Sequence, residues 1–243
     1  VTNDMQTKVV EALDHEILDM YFIHGLYELE ASRATGQSVI TINAHGLVDN
    51  KGNQIAKVDC RDYNKSEESR DPRFFTSVNF VFDNMIMESD KVIFDFYLGL
   101  FAASIIYNNC YFTGCQSLYS PTVIFNDCVF DSRREEDGAE YAFYGYESKN
   151  VEFNRCEFLS NGKAMKIYSE GAGAGAVYKF NDCEFHRESK ESYTDTKAAI
   201  EVDSEFQAGH PYKIYISRCI ASPDEFTSLY NDKYSNSRFI ITE

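Results

Sequence analysis

The chain has 243 residues, of which 44% are hydrophobic, and this content can supply a continuous core. Its formal net charge of −16, with no basic stripe interleaved with aromatic residues, argues against nucleic acid as a partner. No segment approaches the ~18 consecutive apolar residues of a membrane span, so none is expected in this chain.

The first predicted element is a helix within residues 1–20. Its apolar residues recur at helical spacing, so Val9, Leu13 and Ile17 share one face, and Asn3 or Asp4 can cap its first turn. Beyond this segment, Phe (19) and Tyr (17) are abundant and lie in short β-branched runs, which is typical of strands. We therefore expect a capping helix followed by an all-β body.

Three charged segments interrupt the β pattern, at residues 60–75, 131–140 and 186–197. Charge runs of this kind usually form solvated loops. We expect them to be loops inserted between strands of one domain that spans residues 1–243.

One phrase recurs along the chain and carries the fold prediction. It reads IYNNCYF at 106–112, IFNDCVF at 124–130, EFNRCEF at 152–158 and KFNDCEF at 179–185. A degenerate YISRCIA follows at 215–221, and VFDNMIM at 81–87 carries Met85 in the cysteine position. The separations of that position are 25, 18, 28, 27 and 36 residues, so a constant unit alternates with loops of variable length. This pattern is typical of a solenoid, in which insertions collect in loops.

Each phrase predicts two short strands joined by a bend. Apolar residues alternate before the bend, and the cysteine and the following Phe point inward after it. Asn tolerates the left-handed conformation, so we expect the bend at the Asn itself, and stacked amides can hydrogen-bond along the column. The predicted structural ladder comprises Asn108, Asn126, Asn154, Asn181, Cys110, Cys128, Cys156, Cys183 and Cys219. Buried reduced thiols are favoured over one or two disulfides, and metal binding is disfavoured because no zinc-site spacing occurs.

A third strand is predicted before each phrase, in YAFYGYES at 141–148, KAMKIYSE at 163–170 and AAIEVDSE at 198–205. Alternation places Phe143, Met165 and Ile200 inward. The outward face then stacks Tyr144, Lys166 and Glu201 in one row, followed by a row of Tyr146, Tyr168 and Asp203.

The asparagine ladder resembles that of right-handed parallel β-helices. Gly25, Tyr27 and Leu29 form a G-x-Y-x-L phrase similar to the opening of pectate-lyase-like β-helices, where it follows a helix. The resemblance implies an all-β, right-handed, single-stranded parallel β-helix, with three strands per coil over residues 21–243 and an N-terminal capping helix.

The C-terminal part resembles uncharacterised secreted or surface proteins of gut-type bacteria. The likeness rests on Gly162–Ala164, Tyr168–Gly171, Ala198–Glu201 and Tyr230–Asp232 in that order. It implies a secreted or cell-surface location and brings no activity with it.

The outward face of the third strand is the predicted contact surface. Exposed tyrosines can stack on sugar rings, although cross-strand packing is the favoured reading of them. The candidate ligand-binding residues are Tyr144, Tyr146, Lys166, Tyr168, Glu170, Glu201 and Asp203. Catalytic residues are not identified; if the protein is an enzyme, they are Glu201, Asp203, Glu205 and Lys166.

We expect an extracellular, non-enzymatic glycan-binding or adhesion module, whose partner is a polysaccharide or a cell-surface glycan. The alternatives are a polysaccharide hydrolase or lyase acting along the same face, and a structural stalk. No cofactor is expected, although clustered carboxylates on a rigid strand also suit calcium.

Overall fold

The fold is given by a computed structural model, which describes residues 23–24, 27–32, 40–59, 73–88, 100–113, 116–118, 121–133, 141–145, 149–167, 176–188, 198–203, 212–233 and 238–242. Within these ranges the chain forms strands and turns and no helix, so the all-β class is confirmed. The predicted N-terminal helix falls on residues 1–20, outside the described part of the chain.

The strands are short and evenly distributed along the chain. They are β1 (Ile23–His24), β2 (Tyr27–Ser32), β3 (Ile40–Gly46), β4 (Ala56–Asp59), β5 (Arg73–Asp83), β6 (Met85–Glu88), β7 (Leu100–Asn108), β8 (Tyr111–Thr113), β9 (Gln116–Leu118), β10 (Thr122–Asn126), β11 (Val129–Asp131), β12 (Tyr141–Gly145), β13 (Asn150–Asn154), β14 (Glu157–Ser160), β15 (Lys163–Ile167), β16 (Val177–Asn181), β17 (Glu184–Arg187), β18 (Ala198–Val202), β19 (Lys213–Ser217), β20 (Ile220–Ala221), β21 (Ser228–Asp232) and β22 (Arg238–Thr242).

These strands form three sheets. Sheet 1 has the order β2-β3-β5-β7-β10-β13-β16-β19-β22, sheet 2 the order β1-β4-β6-β8-β11-β14-β17-β20, and sheet 3 the order β21-β18-β15-β12-β9. The pairs β1/β4 and β2/β3 are antiparallel, and the other described pairs are parallel. Long parallel sheets thus run through the molecule and end in antiparallel strands near the N-terminus.

The chain visits the three sheets in rotation, which gives a solenoid-like architecture. From β10 onwards, consecutive strands belong to sheets 1, 2 and 3, and each set of three is called a coil below. Tyr107 pairs with Phe125, Phe125 with Phe153, and Phe180 with Ile216, although 18, 28 and 36 residues separate the members of these pairs. The register is therefore set by the repeated phrase and is independent of the loops.

Stacked aromatic rings form the core. In sheet 1, Phe153 stacks on Phe125 with ring centroids 4.9 Å apart and on Phe180 at 5.0 Å. In sheet 2, Phe130 stacks on Phe158 at 4.9 Å. Rings of the two sheets meet edge to face, and such contacts add to the stabilisation from buried apolar area.

The inward residues of sheet 3 complete this core as predicted. Phe143, Met165 and Ile200 lie in register and are buried.

The charged segments begin or end slightly differently from the prediction. Asp131 belongs to β11, His186 and Arg187 belong to β17, and β5 already begins at Arg73, because strand pairing extends into each segment.

The prediction that the bend lies at the ladder asparagines is wrong by one residue. Positive φ occurs at the following position, including Asp127 (54°), Arg155 (53°) and Asp182 (54°). Each of these residues donates its backbone N–H to the ladder residue of the next coil, as Arg155 does to the Asn181 carbonyl at 2.8 Å. The left-handed conformation costs these non-glycine residues on the order of 1 kcal/mol each, which the recurrent backbone hydrogen bond offsets.

The ladder asparagines act through their side chains. The amide of Asn126 donates to Asn108 at 2.8 Å, Asn154 donates to Asn126 at 2.9 Å, and Asn181 donates to Asn154 at 2.8 Å. Asn108 continues the column by donating to Asp83 at 2.6 Å. The column links five consecutive strands of sheet 1.

We expect Asn154→Ala to lower the free energy of unfolding by about 1–3 kcal/mol, because it removes one donor and one acceptor from a half-buried column. Chemical denaturation would measure the loss. Glu184→Ala, at an exposed site of sheet 2, is the control and should change stability by less than about 0.5 kcal/mol. Equal effects of the two variants would contradict a stabilising ladder.

The cysteines form a second column beside the asparagines. Each thiol contacts backbone carbonyl oxygens, as Cys156 does with Phe125 and Asn154, both at 3.5 Å. Burial raises the pKa of the Cys128 and Cys156 thiols, and the Cys156 thiol together with burial raises the pKa of Cys183 to about 12. Thiols with such pKa values stay protonated at neutral pH and are poor nucleophiles.

Candidate functional site on sheet 3

The outer face of sheet 3 carries the predicted contact residues. Tyr144 pairs with Lys166, and Lys166 pairs with Glu201, so these three positions form one row as the strand pattern predicts. The same face includes Ala142, Ala164 and Ala199, which alternate with inward residues and are nevertheless fully buried. The face is therefore covered in this region, and charges there lie in a poorly solvated environment.

A buried ion pair occupies this covered region. The ammonium of Lys163 lies 2.9 Å from Oε1 and 2.8 Å from Oε2 of Glu201. Their side chains are only 7% and 5% exposed. The prediction treated Glu201 as an exposed contact residue, and the structure differs because Lys163 and the cover above the strand enclose its carboxylate.

A second ionic group lies beside the first. Asp203 contacts Lys166 at 3.0 Å and Lys233 at 3.3 Å, and Lys233 is half exposed. Burial alone would raise the pKa of Asp203, but the two ammonium groups outweigh burial and lower it. Asp203 therefore stabilises the fold at neutral pH, and that contribution is lost as the pH falls through its lowered pKa.

Tyr141 joins the two groups, and the sequence prediction did not include it as a site residue. The Lys166 ammonium lies 5.1 Å from the centre of its ring, and the Lys163 ammonium lies 5.6 Å from it. Both distances are within the range of cation–π attraction. Its pairing with Lys163 in the strand register is the sequence signal that could have identified it. We call this set the lysine–carboxylate cluster: Tyr141, Lys163, Lys166, Glu201, Asp203 and Lys233.

The other predicted site residues are only partly placed. Tyr144 lies in β12, where the structure describes its backbone pairing. Tyr146, Tyr168, Glu170 and Glu205 lie outside the described residues.

The described residues contain no group of three or more His, Cys, Asp or Glu side chains arranged to hold a metal ion. In the cluster, Glu201 and Asp203 are both bound by lysines. Calcium at these carboxylates would have to replace the ammonium groups, since it is coordinated through oxygen ligands.

A further polar group, absent from the sequence prediction, lies at the end of β11. The buried Asp131 accepts hydrogen bonds from the Arg133 guanidinium at 2.9 Å and from the Tyr111 hydroxyl at 2.6 Å. Burial opposes ionisation here, but these donors lower the pKa of Asp131. This group fixes the end of a strand of sheet 2.

Comparison of the chain with protein-family models, curated proteins and solved structures finds no match. In the part of the chain that the structure describes, no helix has the length and apolar character needed to cross a bilayer.

Proposed function

We propose that this chain is a right-handed parallel β-helix that serves as an extracellular, non-enzymatic glycan-binding or adhesion module. Rotation of the chain through three sheets with constant register supports the β-helix. The right hand follows from the strong preference of parallel β crossovers for that hand. The contact surface is the margin of the outer face of sheet 3 beside the covered Lys163–Glu201 pair, where Lys166 and Asp203 are partly exposed and Lys233 is half exposed.

The observation that carries the non-enzymatic proposal is the pairing of Glu201 and Asp203, two of the three candidate catalytic carboxylates, with lysines. A glycoside hydrolase needs one carboxyl group that is protonated and one that faces the sugar as a nucleophile or base. Glu201 is enclosed with Lys163, and the lowered pKa of Asp203 disfavours its protonated form. Neither side chain is arranged as a general acid.

The lysines argue similarly against a lyase. A lyase base must present a neutral amine to the proton that it abstracts. Lys163 is buried and directs its ammonium at both oxygens of Glu201, and Lys166 contacts Asp203. The cluster is therefore better suited to holding its own geometry than to transferring protons.

The same arrangement suits recognition of a glycan. Sugar sites combine an aromatic face for stacking with a few polar groups held in fixed positions. The strand register places Tyr144 beside Lys166, and ion pairs fix Lys166 and Asp203. A ligand would thus meet an ordered surface and would lose little side-chain entropy on binding.

An enzymatic function is the second candidate, and the buried Lys163–Glu201 pair favours it. Burying an ion pair costs desolvation energy that apolar residues of similar size would avoid. Buried charge pairs are also common in active sites. A polysaccharide hydrolase or lyase would use Glu201, Asp203 and Lys166 of this face, together with Glu205.

A glycan panel distinguishes these functions when binding and the release of reducing ends or unsaturated products are measured together, with and without calcium. We expect retention of at least one glycan without product. Tyr144→Ala and Asp203→Asn should each weaken binding about tenfold, because they remove a stacking surface or a charged hydrogen-bonding group. Glu184→Gln, at an exposed position of sheet 2, is the matched control and should bind as the wild type does.

Two results would contradict the proposal. Product release that disappears in Glu201→Gln would make the protein an enzyme. The absence of binding across plant, host and bacterial glycans would favour a structural stalk instead.

A further inference from the structure

The outer face of sheet 1 carries a column of side chains that is complementary to itself when its order is reversed. Its residues lie on six consecutive strands and are partly or largely exposed. In strand order they are Ile106, Ile124, Glu152, Lys179, Tyr215 and Ile240, and Val81 and Asn43 extend the column beyond Ile106. The two apolar residues at each end flank one acid and one base at the centre.

A two-fold axis between β13 and β16, lying in the plane of the face, would superpose this column on its reversed copy. Glu152 would then lie opposite Lys179 of the second copy. Ile124 would face Tyr215 of the second copy, and Ile106 would face its Ile240. Opposite charges and apolar residues thus meet throughout the column.

The adjacent bend carries a second column with the same symmetry. Its charged members are the exposed left-handed residues Asp127, Arg155, Asp182 and Arg218. Within one chain, Arg155 binds Asp127 through two hydrogen bonds, at 2.6 and 2.8 Å. Reversal about the same axis places Arg155 opposite Asp182 of the second copy, and Asp127 opposite its Arg218.

The remaining positions of the face introduce no repulsion between like charges. The ladder column continues from Asn181 into Ser217 and Thr242. Reversal therefore places each amide opposite an amide or a hydroxyl of the second copy. In the outermost column, Lys213 would face Thr122 of the second copy, and Arg238 would face its Ser104. The acidic residues Glu157 and Glu184 follow the bend and belong to sheet 2.

The size of this surface is sufficient for a specific contact. Six strands with five residues each, together with the bend column, cover roughly 500 Å² per copy, or about 1,000 Å² in total, which is at the lower end of specific interfaces. Glu152 and Lys179 retain 32% and 48% of their side-chain exposure, so the centre of the face is accessible.

We propose that a second copy of this chain docks antiparallel onto the outer face of sheet 1, forming a two-fold symmetric dimer. The contact lies on a different sheet from the lysine–carboxylate cluster and does not depend on glycan binding. The net charge of −16 on each copy opposes association at long range, so the dimer should form best at moderate ionic strength.

Charge reversal at the centre of the face tests this proposal with the full chain. Sedimentation over a concentration series should show a dimer for the wild type. Lys179→Glu or Glu152→Lys alone should weaken association by at least about tenfold, because symmetry places each like-charge contact in the interface twice. The double variant E152K/K179E should restore the dimer, since both the intrachain pair and the contacts between copies regain opposite charges.

Thermal unfolding of each variant would verify that the fold is retained. A wild type that remains monomeric throughout the series would overturn the proposal. So would a dimer that neither single reversal weakens, or one that the double variant fails to restore.

Discussion

Phe153→Ala should destabilise the protein by about 3–5 kcal/mol, which is the usual cost of deleting a buried aromatic ring. Phe153 is fully buried and lies at the centre of the aromatic core. It stacks on Phe125 and Phe180 and makes edge contacts with Phe143 at 5.1 Å and Phe158 at 5.2 Å. Its loss would leave a cavity at the junction of all three sheets.

Urea denaturation would measure this effect. Phe153→Leu retains much of the volume and should cost clearly less than the alanine variant. Ile124→Ala, on the outer face of the neighbouring strand, controls for the loss of an apolar side chain at a partly exposed position. A loss below about 1 kcal/mol in Phe153→Ala would mean that the core is much looser than the ring distances indicate.

Lys163→Met should also destabilise the protein by about 3–5 kcal/mol at neutral pH, because it removes the ammonium group that binds both oxygens of the buried Glu201. Replacing both partners in K163M/E201M removes the buried charges together and should recover most of the lost stability.

A matched control is the exposed pair of Lys179 and Glu152, which lie 3.2 Å apart. Lys179→Met removes the same kind of group from a solvated site and should cost less than about 1 kcal/mol at concentrations where the chain is monomeric. Denaturation curves for these variants at neutral pH and low protein concentration would provide the comparison. A Lys163→Met variant as stable as Lys179→Met would refute the energetic importance of the buried pair.

Much of the fold was predictable because one phrase repeats with its polarity intact. Alternation of apolar residues identified Phe143, Met165 and Ile200 as inward, and the structure confirms this. Each strand pairs with the equivalent strand of the next coil, so a short repeated pattern contains most of the information that sets the register.

The errors arose where the sequence pattern does not specify the surroundings of a residue. Asn was assigned to the left-handed position because of its conformational tolerance, but at Asn154 the hydrogen bonds of the side chain matter more, and Arg155 takes the bend. Alternation assigned Glu201 to the outer face of sheet 3, in one row with Lys166. It could not reveal that this part of the outer face is covered, which depends on tertiary structure.

The equal register of coils joined by unequal loops has an evolutionary consequence. Because Phe125 pairs with Phe153, and Phe153 with Phe180, regardless of the residues between them, a loop can gain or lose residues without displacing any core ring. Selection can therefore remodel the loops of this protein while the aromatic, asparagine and cysteine columns are inherited unchanged. New binding specificities can arise in such a lineage without first having to compensate for a destabilised core.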